Sequence, residues 1–312
     1  MNAVVYEKLR RLETTPEAVG ETVTYIAGQL RSFVRANEQV LICYPDQGDA
    51  SFGAILARAV LECGAEPVFW GPDYRWKTLL RQAFSLHVET IMGPPLVILG
   101  LMKMAKATST PLYIHHALLG GYPYAGWMVE GIRKGLDCRL WGCYSVGPGP
   151  LVAGFTCDRC AGMHLREDLF EVGVLDEEGQ ELPDPQRGRL VLRYRRDPEL
   201  ILDTDETAQM LHQPCSCGCD APRILETLYA GEDDPNRKIL EERFLAWSSI
   251  LDYRVENTES GLSLELVVFP GESLPVIPNC AKLKIRPWDP EEDVPFCMKE
   301  VQKLAEKDWQ NC

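Results

Sequence analysis

Apolar residues recur at three- and four-residue spacing over 17–36, where Val19, Val23, Ile26, Leu30, Phe33 and Val34 fall on one helical face. Thr14-Thr15-Pro16-Glu17 precedes them and supplies an N-cap and a first-turn proline. The pattern predicts an amphipathic helix, and the unbroken apolar run at 40–44 predicts a buried strand after it. The alternation continues along the chain. Helices are expected near 54–63 and 75–84, with strands at 67–70 and 88–92. Gly93-Pro94-Pro95 then turns into a helix that runs to about 107. A strand at 112–115, a helix at 125–134 and a strand at 138–141 complete the series. Strands alternating with helices predict β-α-β units: a parallel sheet with helices covering it.

The texture changes after Gly147-Pro148-Gly149-Pro150. Short strands and tight turns take over, as at 170–175, where a strand runs into Asp176-Glu177-Glu178-Gly179, and at 189–194. The acidic, turn-rich stretch 230–235 reads as a linker. Beyond it come a helix (238–247), a hairpin (253–256 with 262–269) and a charged helix (291–307). The expectation is an α/β protein in three parts. Residues 1–150 form a parallel-sheet subdomain, 151–229 a small β-rich subdomain and 230–312 a small α+β cap.

Charge narrows the partners. The chain carries 46 acidic and 32 basic residues among 312, a formal net charge of −14. Nucleic acid and anionic lipid are themselves polyanions, so both are disfavoured, while a small anionic ligand needs only a local pocket. The apolar run 94–104 is interrupted by Gly100 and Lys103 and is far shorter than the roughly 20 residues a membrane span requires. The first residues lack a cationic start followed by an apolar core, so a cytoplasmic location with reduced thiols is expected. There, twelve cysteines point to metal rather than to disulfides.

Six candidate ligands are clustered. Cys157, Cys160 and His164 lie together, as do Cys215, Cys217 and Cys219. Zinc takes four thiolate or imidazole ligands in a tetrahedron, and two pairs far apart in sequence can supply them if each sits on a turn. Gly162, Pro214 and Gly218 suit such turns. The cluster reads either as a closed structural metal site or as a set of free or redox-active thiols, and spacing alone leaves open which four would bind.

The order of these motifs resembles the phenylacetate–CoA ligase branch of the adenylate-forming enzymes. That family's Tyr-Gly-Leu-Ser-Glu running into Gly-Pro-Gly is matched by Trp141-Gly142-Cys143-Tyr144-Ser145-Val146-Gly147-Pro148-Gly149. Cys157, His164 and Glu167-Asp168-Leu169-Phe170 follow, then Gly188-Arg189-Leu190-Val191-Leu192, then Pro214-Cys215-Ser216-Cys217-Gly218, all in the family's sequence order. Gly93-Pro94-Pro95 is similar to its Gly-Thr-Pro turn, Leu119-Gly120-Gly121-Tyr122-Pro123 to its Gly-Ala-Glu-Pro, and Gly231-Glu232-Asp233-Asp234 to the hinge before its cap. The resemblance covers about residues 40–268. It implies zinc at Cys157, His164, Cys215 and Cys217, with Cys160 and Cys219 as extras, and a hinge at Asp233 and Asp234.

Family members convert a carboxylic acid and ATP, with Mg²⁺, into an acyl-adenylate and pass the acyl group to CoA. The resemblance implies a nucleotide site at Gly120, Gly121, Tyr122, Trp141, Gly142 and Ser145, with Asp205 or Glu206 on the ribose. Trp141 would stack on adenine; read from the residues alone it is equally a core aromatic at a strand end. His115 and His116 are placed at a strand end facing the cleft. Several family features are altered. No Thr/Ser/Gly/Lys-rich phosphate loop is found, and Gln47-Gly48-Asp49-Ala50-Ser51 has no lysine. Ser145 and Tyr122 stand where the family has glutamates, and the catalytic lysine near Lys282 or Lys284 has no surrounding motif. The implied protein is an N-terminally shortened acyl-CoA ligase relative acting on an aryl or small carboxylate with degenerate phosphate motifs. The alternative is an inactive relative that binds nucleotide or acyl-CoA or serves as a scaffold, or a half-enzyme completed by a partner. Apolar surface left by the shortened start would be covered in a homodimer or by a partner subunit.

Overall fold

A computed structural model of the chain describes residues 3–71, 73–121, 126–146, 151–157, 159, 162–229, 243–244, 247–271 and 280–299. Two helices open it, α1 (Ala3–Glu13) and α2 (Pro16–Leu30). Thr15 caps α2 by accepting from the Ala18 N–H at 3.3 Å, and Pro16 sits at its first turn. The expected alternation follows: β1 (Gln39–Ile42), α3 (Phe52–Glu62), β2 (Glu66–Phe69), α4 (Trp76–Ser85), β3 (Thr90–Gly93), α5 (Pro95–Ala107), β4 (His116–Gly120), α6 (Gly126–Leu136) and β5 (Arg139–Ser145). Strands β2, β1, β3, β4 and β5 lie side by side in that order and all pair in parallel.

Both faces of this half-sheet are buried, because successive side chains point to opposite sides. Val40, Ile42, Met92 and Leu118 face α2 and α3, packing with Ile26, Leu30, Ile55 and Leu56. Leu41, Ile91, Ala117 and Leu119 face the other way, against Leu79, Val97, Leu101 and Ile132 of α4, α5 and α6.

One strand lies elsewhere than expected. The run at 112–115 reads as extended because of its branched and aromatic residues, yet β4 begins at His116. The hydrogen-bonded segment is Ala117-Leu118-Leu119, buried on both faces, whereas Tyr113 is exposed. His115 and His116 therefore lie at the amino end of β4, away from the carboxyl ends where a cleft was expected. Gly120 is the last residue of the strand.

The sheet continues beyond β5. Strands β6 (Val152–Thr156) and β7 (Met163–Leu165) pair antiparallel onto it, followed in space by β11 (Arg223–Tyr229), β10 (Ile201–Leu211), β9 (Arg187–Tyr194) and β8 (Phe170–Leu175), eleven strands in all. Tyr6 and Leu9 of α1 pack into the core of this antiparallel half with Leu169, Phe170, Leu192 and Met210. A separate three-stranded sheet, β12 (Ile250–Thr258), β13 (Gly261–Val268) and β14 (Lys282–Pro287), lies near the end of the chain. The helix expected at 238–247 is described only at residues 243, 244 and 247, of which 243 and 244 are helical; that expected at 291–307 starts later, with 291–295 non-helical around Pro295 and 296–299 helical. Residues 238–242, 245–246 and 300–307, with the hinge residues Asp233 and Asp234, Tyr122, Cys160 and residues 147–150, lie outside the described residues. Among the described residues, no helix is long and apolar enough to cross a membrane.

Candidate metal centre and ligand crevice

Cys157 lies just past the end of β6, His164 is in the middle of β7, and Cys215 and Cys217 lie in the turn between β10 and β11. Pairing of β7 with both β6 and β11 sets His164 opposite Phe155 on one side and Arg223 on the other. This register brings the turns together. One donor atom from each of Cys157, His164, Cys215 and Cys217 lies within 4.8 Å of every other. The Cys157 and Cys215 sulfurs are 3.7 Å apart, and the Cys217 sulfur is 3.4 Å from His164 Nε2. A tetrahedral zinc ion requires edges of about 3.7 Å between two sulfurs and about 3.5 Å between sulfur and nitrogen. These two separations match such an ion, and the remaining ones are no longer than 4.8 Å, so small side-chain adjustments suffice to close the tetrahedron.

The surrounding groups orient these donors. His164 Nδ1 lies 3.4 Å from the Ala221 carbonyl oxygen. Donation to that oxygen would leave the Nε2 lone pair facing the cluster. The Cys217 N–H donates to the Cys215 sulfur at 3.4 Å, and the Cys219 N–H reaches the Cys217 sulfur. Gly218 makes the tight turn between them at φ 87°. Its N–H donates to the Cys215 carbonyl at 3.0 Å, and the Cys215 N–H to the Cys219 carbonyl at 3.1 Å. Desolvation and then the neighbouring Cys215 and Cys157 sulfurs push the Cys217 thiol up to about 11. Among the described residues, Cys219 stands outside the group of four.

The second place to look is the carboxyl ends of the parallel strands, where open α/β sheets bind ligands. Strand order reverses between β1 and β3, and there Cys43-Tyr44 faces Gly93: a side chain on Gly93 would come within 2.8 Å of the Cys43 Cβ. Tyr44 donates from its hydroxyl to the Gly120 carbonyl at 2.6 Å, bridging the ends of β1 and β4. A Cβ on Gly120 would strike the Cys143 carbonyl oxygen at 2.6 Å, and Gly121 adopts φ 62° under the Tyr44 ring. Ser145 closes β5, and its buried hydroxyl has no hydrogen-bond partner among the described residues.

The remaining predicted nucleotide residues are spread out. Trp141 is buried and stacked on Phe33, with ring centroids 3.9 Å apart, and meets His116 edge-on at 5.5 Å. The Gly142 N–H donates to the Thr156 hydroxyl at 2.6 Å. Glu206 is buried on the core face of β10 with Leu202, Thr204 and Ala208. Asp205 lies next to it in that strand, and its side chain is outside the described residues. Burial holds the His116 imidazole below its usual range, with Glu38 opposing the shift.

Three polar anchors were not singled out in the sequence. Arg166, almost fully buried, donates to both carboxylate oxygens of Asp168 (3.3 and 2.7 Å) and to the Thr22 hydroxyl (3.1 Å), and lies 4.6 Å from the centre of the Tyr25 ring. Lys103 and Asp252 are buried where α5 meets β12. A lysine inside an otherwise apolar helical run was the signal available for Lys103.

No family model matches the chain, and no curated protein does. Solved structures do match its fold. 2-Hydroxyisobutyryl-CoA ligase in its postadenylation state with 2-HIB-AMP superposes with a TM-score of 0.62 at 12% identity, over 92% of this chain and 72% of that one. The same enzyme in an open conformation with 2-HIB-AMP and CoA gives 0.58 at 14% identity, over 79% and 59%. The amide bond synthetase McbA from Marinactinospora thermotolerans gives 0.52 at 14%, over 90% and 66%. The chain shares the mixed α/β fold of these proteins. It spans between 59% and 72% of their lengths.

Proposed function

We propose that this chain is an adenylate-forming, acyl-CoA-ligase-like protein of the phenylacetate–CoA ligase type, acting on an aryl or small carboxylate and carrying a structural zinc at Cys157, His164, Cys215 and Cys217. The observation that carries the reading is the meeting of these four donors from two distant turns, in the motif order of that branch, on a ligase fold. The 2-hydroxyisobutyryl-CoA ligase structures contain an acyl-AMP and CoA, which favours nucleotide and CoA as ligands here. With every metal position filled by protein, the zinc is structural and takes no part in the reaction.

In the reaction so proposed, a carboxylate oxygen attacks the α-phosphate of ATP, and pyrophosphate leaves. The CoA thiol then attacks the acyl carbonyl, and AMP leaves. The site is assigned to the carboxyl ends of β1, β3, β4 and β5, around Tyr44, Gly120, Gly121 and Ser145. The Ser145 hydroxyl is available there to a polar ligand atom. Turnover is expected to be slow. A serine and a tyrosine stand at the family's glutamate positions, and charge stabilisation dominates phosphoryl chemistry.

Thermal unfolding with ATP, AMP, CoA and Mg²⁺ tests the reading. A ligand present at a hundredfold excess over its Kd adds about 2.7 kcal/mol to apparent stability, a shift of several degrees at most for a chain of this size. AMP or ATP with Mg²⁺ should raise the unfolding temperature. A chain indifferent to every nucleotide and to CoA is not a ligase of this kind.

A further inference from the structure

The four metal donors differ in how far they reach solvent. Cys217 is exposed and Cys157 half-buried, whereas Cys215 and His164 are buried. Four thiols outside the cluster, Cys43, Cys138, Cys143 and Cys297, are buried as well. Desolvation pushes Cys138 up to about 11 and Cys143 up to about 12. Oxidants attack the thiolate, so such buried thiols are inert. Zinc reverses the case at the cluster, because a coordinating sulfur is held deprotonated. Among the three cluster sulfurs, Cys217 is then the thiolate that a small solute reaches first.

A second thiolate stands ready beside it. The three sulfurs and the imidazole nitrogen all lie within 4.8 Å of one another. A disulfide brings its two sulfurs to about 2.05 Å. Cys215 shares a turn with Cys217, and the Cys217 N–H donates to its sulfur at 3.4 Å. A bond between those two would close a small, strained ring. Cys157 approaches from the separate turn after β6, so rotation of two side chains can join it to Cys217 without that strain.

We propose that Cys217 is a site of oxidation by hydrogen peroxide and that Cys157 resolves it, so that the metal centre is exchanged for a disulfide. The inference rests on the zinc assignment above and not on the ligase activity. The Cys217 sulfur attacks one peroxide oxygen, the O–O bond breaks, and a sulfenic acid forms as hydroxide leaves. The Cys157 thiolate attacks that sulfur, the S–S bond forms, the S–O bond breaks, and a second hydroxide leaves. Two thiolates have then given two electrons to one peroxide, and two protons from solvent turn the hydroxides into water. Zinc, left with His164 and Cys215, departs as the aqueous ion.

Peroxide treatment of the zinc-loaded full chain at neutral pH tests this, with a metal indicator for free zinc and thiol alkylation with peptide mass spectrometry for the cysteines. Zinc content is measured first. A chain that neither carries nor takes up zinc fails the metal assignment, and the inference falls with it. From a chain holding about one zinc, peroxide should release that zinc, protect Cys157 and Cys217 from alkylation and leave Cys215 open to it. Dithiothreitol with added zinc should reverse the change. Zinc retained under peroxide overturns the proposal even though the metal site stands. Zinc loss with the new bond at Cys215 or Cys219, or with a sulfinic acid at Cys217 in place of a bond, overturns it too. Cys219→Ser should behave as the wild type, and failure of that variant to form the bond would overturn the assignment of Cys157.

Discussion

At the scale of single residues, the metal cluster makes a sharp discrimination. Cys217 and Cys219 are two residues apart on one turn, yet the Cys217 sulfur reaches the donor group and Cys219 stands outside it. Cys219→Ser should leave about one zinc per chain, and Cys217→Ser should lower it well below that, because zinc needs its fourth protein ligand to close the site. Metal analysis after gentle purification reads both, and equal loss in the two variants would refute the ligand assignment. Arg166 offers a second test. Burial raises the Asp168 carboxyl, but the hydrogen bonds and charge of Arg166 outweigh it and hold the group below the usual carboxylate range. A depressed folded pKa contributes stability that is present above the ordinary carboxylate pKa and is lost as pH falls through the folded value. Arg166→Lys keeps the charge but not the two-pronged geometry or the Thr22 bond, and should cost about 2 kcal/mol at neutral pH. Urea midpoints of the two proteins should converge as the pH is lowered toward about 3. A constant gap across that range would mean that packing, not the ion pair, carries the loss.

Elements were legible where a periodic apolar face met a nearby stop signal. The helix at 17–36 and the strand at 40–44 are found as α2 and β1, because Thr15-Pro16 and the run Val40-Leu41-Ile42 are local signals, but α2 stops at Leu30, six residues short of the expected end, and Phe33 and Val34 are buried from the loop after it. β10 was missed because Leu202-Asp203-Thr204-Asp205-Glu206 has one apolar residue among a threonine and three acidic residues and reads as a polar motif. In the fold it is an eleven-residue strand, with Leu202, Thr204 and Glu206 turned inward. Short β7 could not be seen at all, since its three residues are defined by partners on both sides and not by any pattern of their own. The metal residues were legible because Cys and His carry their chemistry in their identity. The role of Lys103 needed coordinates, because its buried ammonium donates to the carbonyls of Phe244 and Ile250, 141 and 147 residues away. Packing between elements also overrides propensity at Gly100 in α5. A Cβ there would sit 2.1 Å from the Trp76 ring, which is buried and cannot retreat. Alanine is the better helix former by about 1 kcal/mol, yet Gly100→Ala should destabilise by about 1–3 kcal/mol through overpacking. Denaturant unfolding measures the sign, and a stabilised variant would show that α4 and α5 can part.

For the molecule as a whole, the decisive place is the seam where β7 meets β11. The parallel half and β6 lie on one side of it, and β8 to β10 lie beyond β11. The seam itself is short, with His164 opposite Arg223 and Met163 opposite Ile224. The four donors straddle it: Cys157 and His164 come from the near side, Cys215 and Cys217 from the turn that leads into β11. A metal bound there acts as a staple between the two halves of an eleven-stranded sheet, and a site absent from the unfolded chain adds its binding energy to folding. The apolar contact of α1 with β8 to β10 and the 2.5 Å hydrogen bond from Tyr194 to Glu13 remain when the ion is removed, so the antiparallel half should loosen without unravelling. Chelation at neutral pH should therefore speed amide exchange in β9 and β10 by about tenfold or more, equivalent to about 1.4 kcal/mol, and leave β1, β3 and β4 at their former rates. Re-addition of zinc should restore protection. A uniform change across all eleven strands would mean that the seam is no weaker than its neighbours, and no change at all would mean that the cluster holds nothing together.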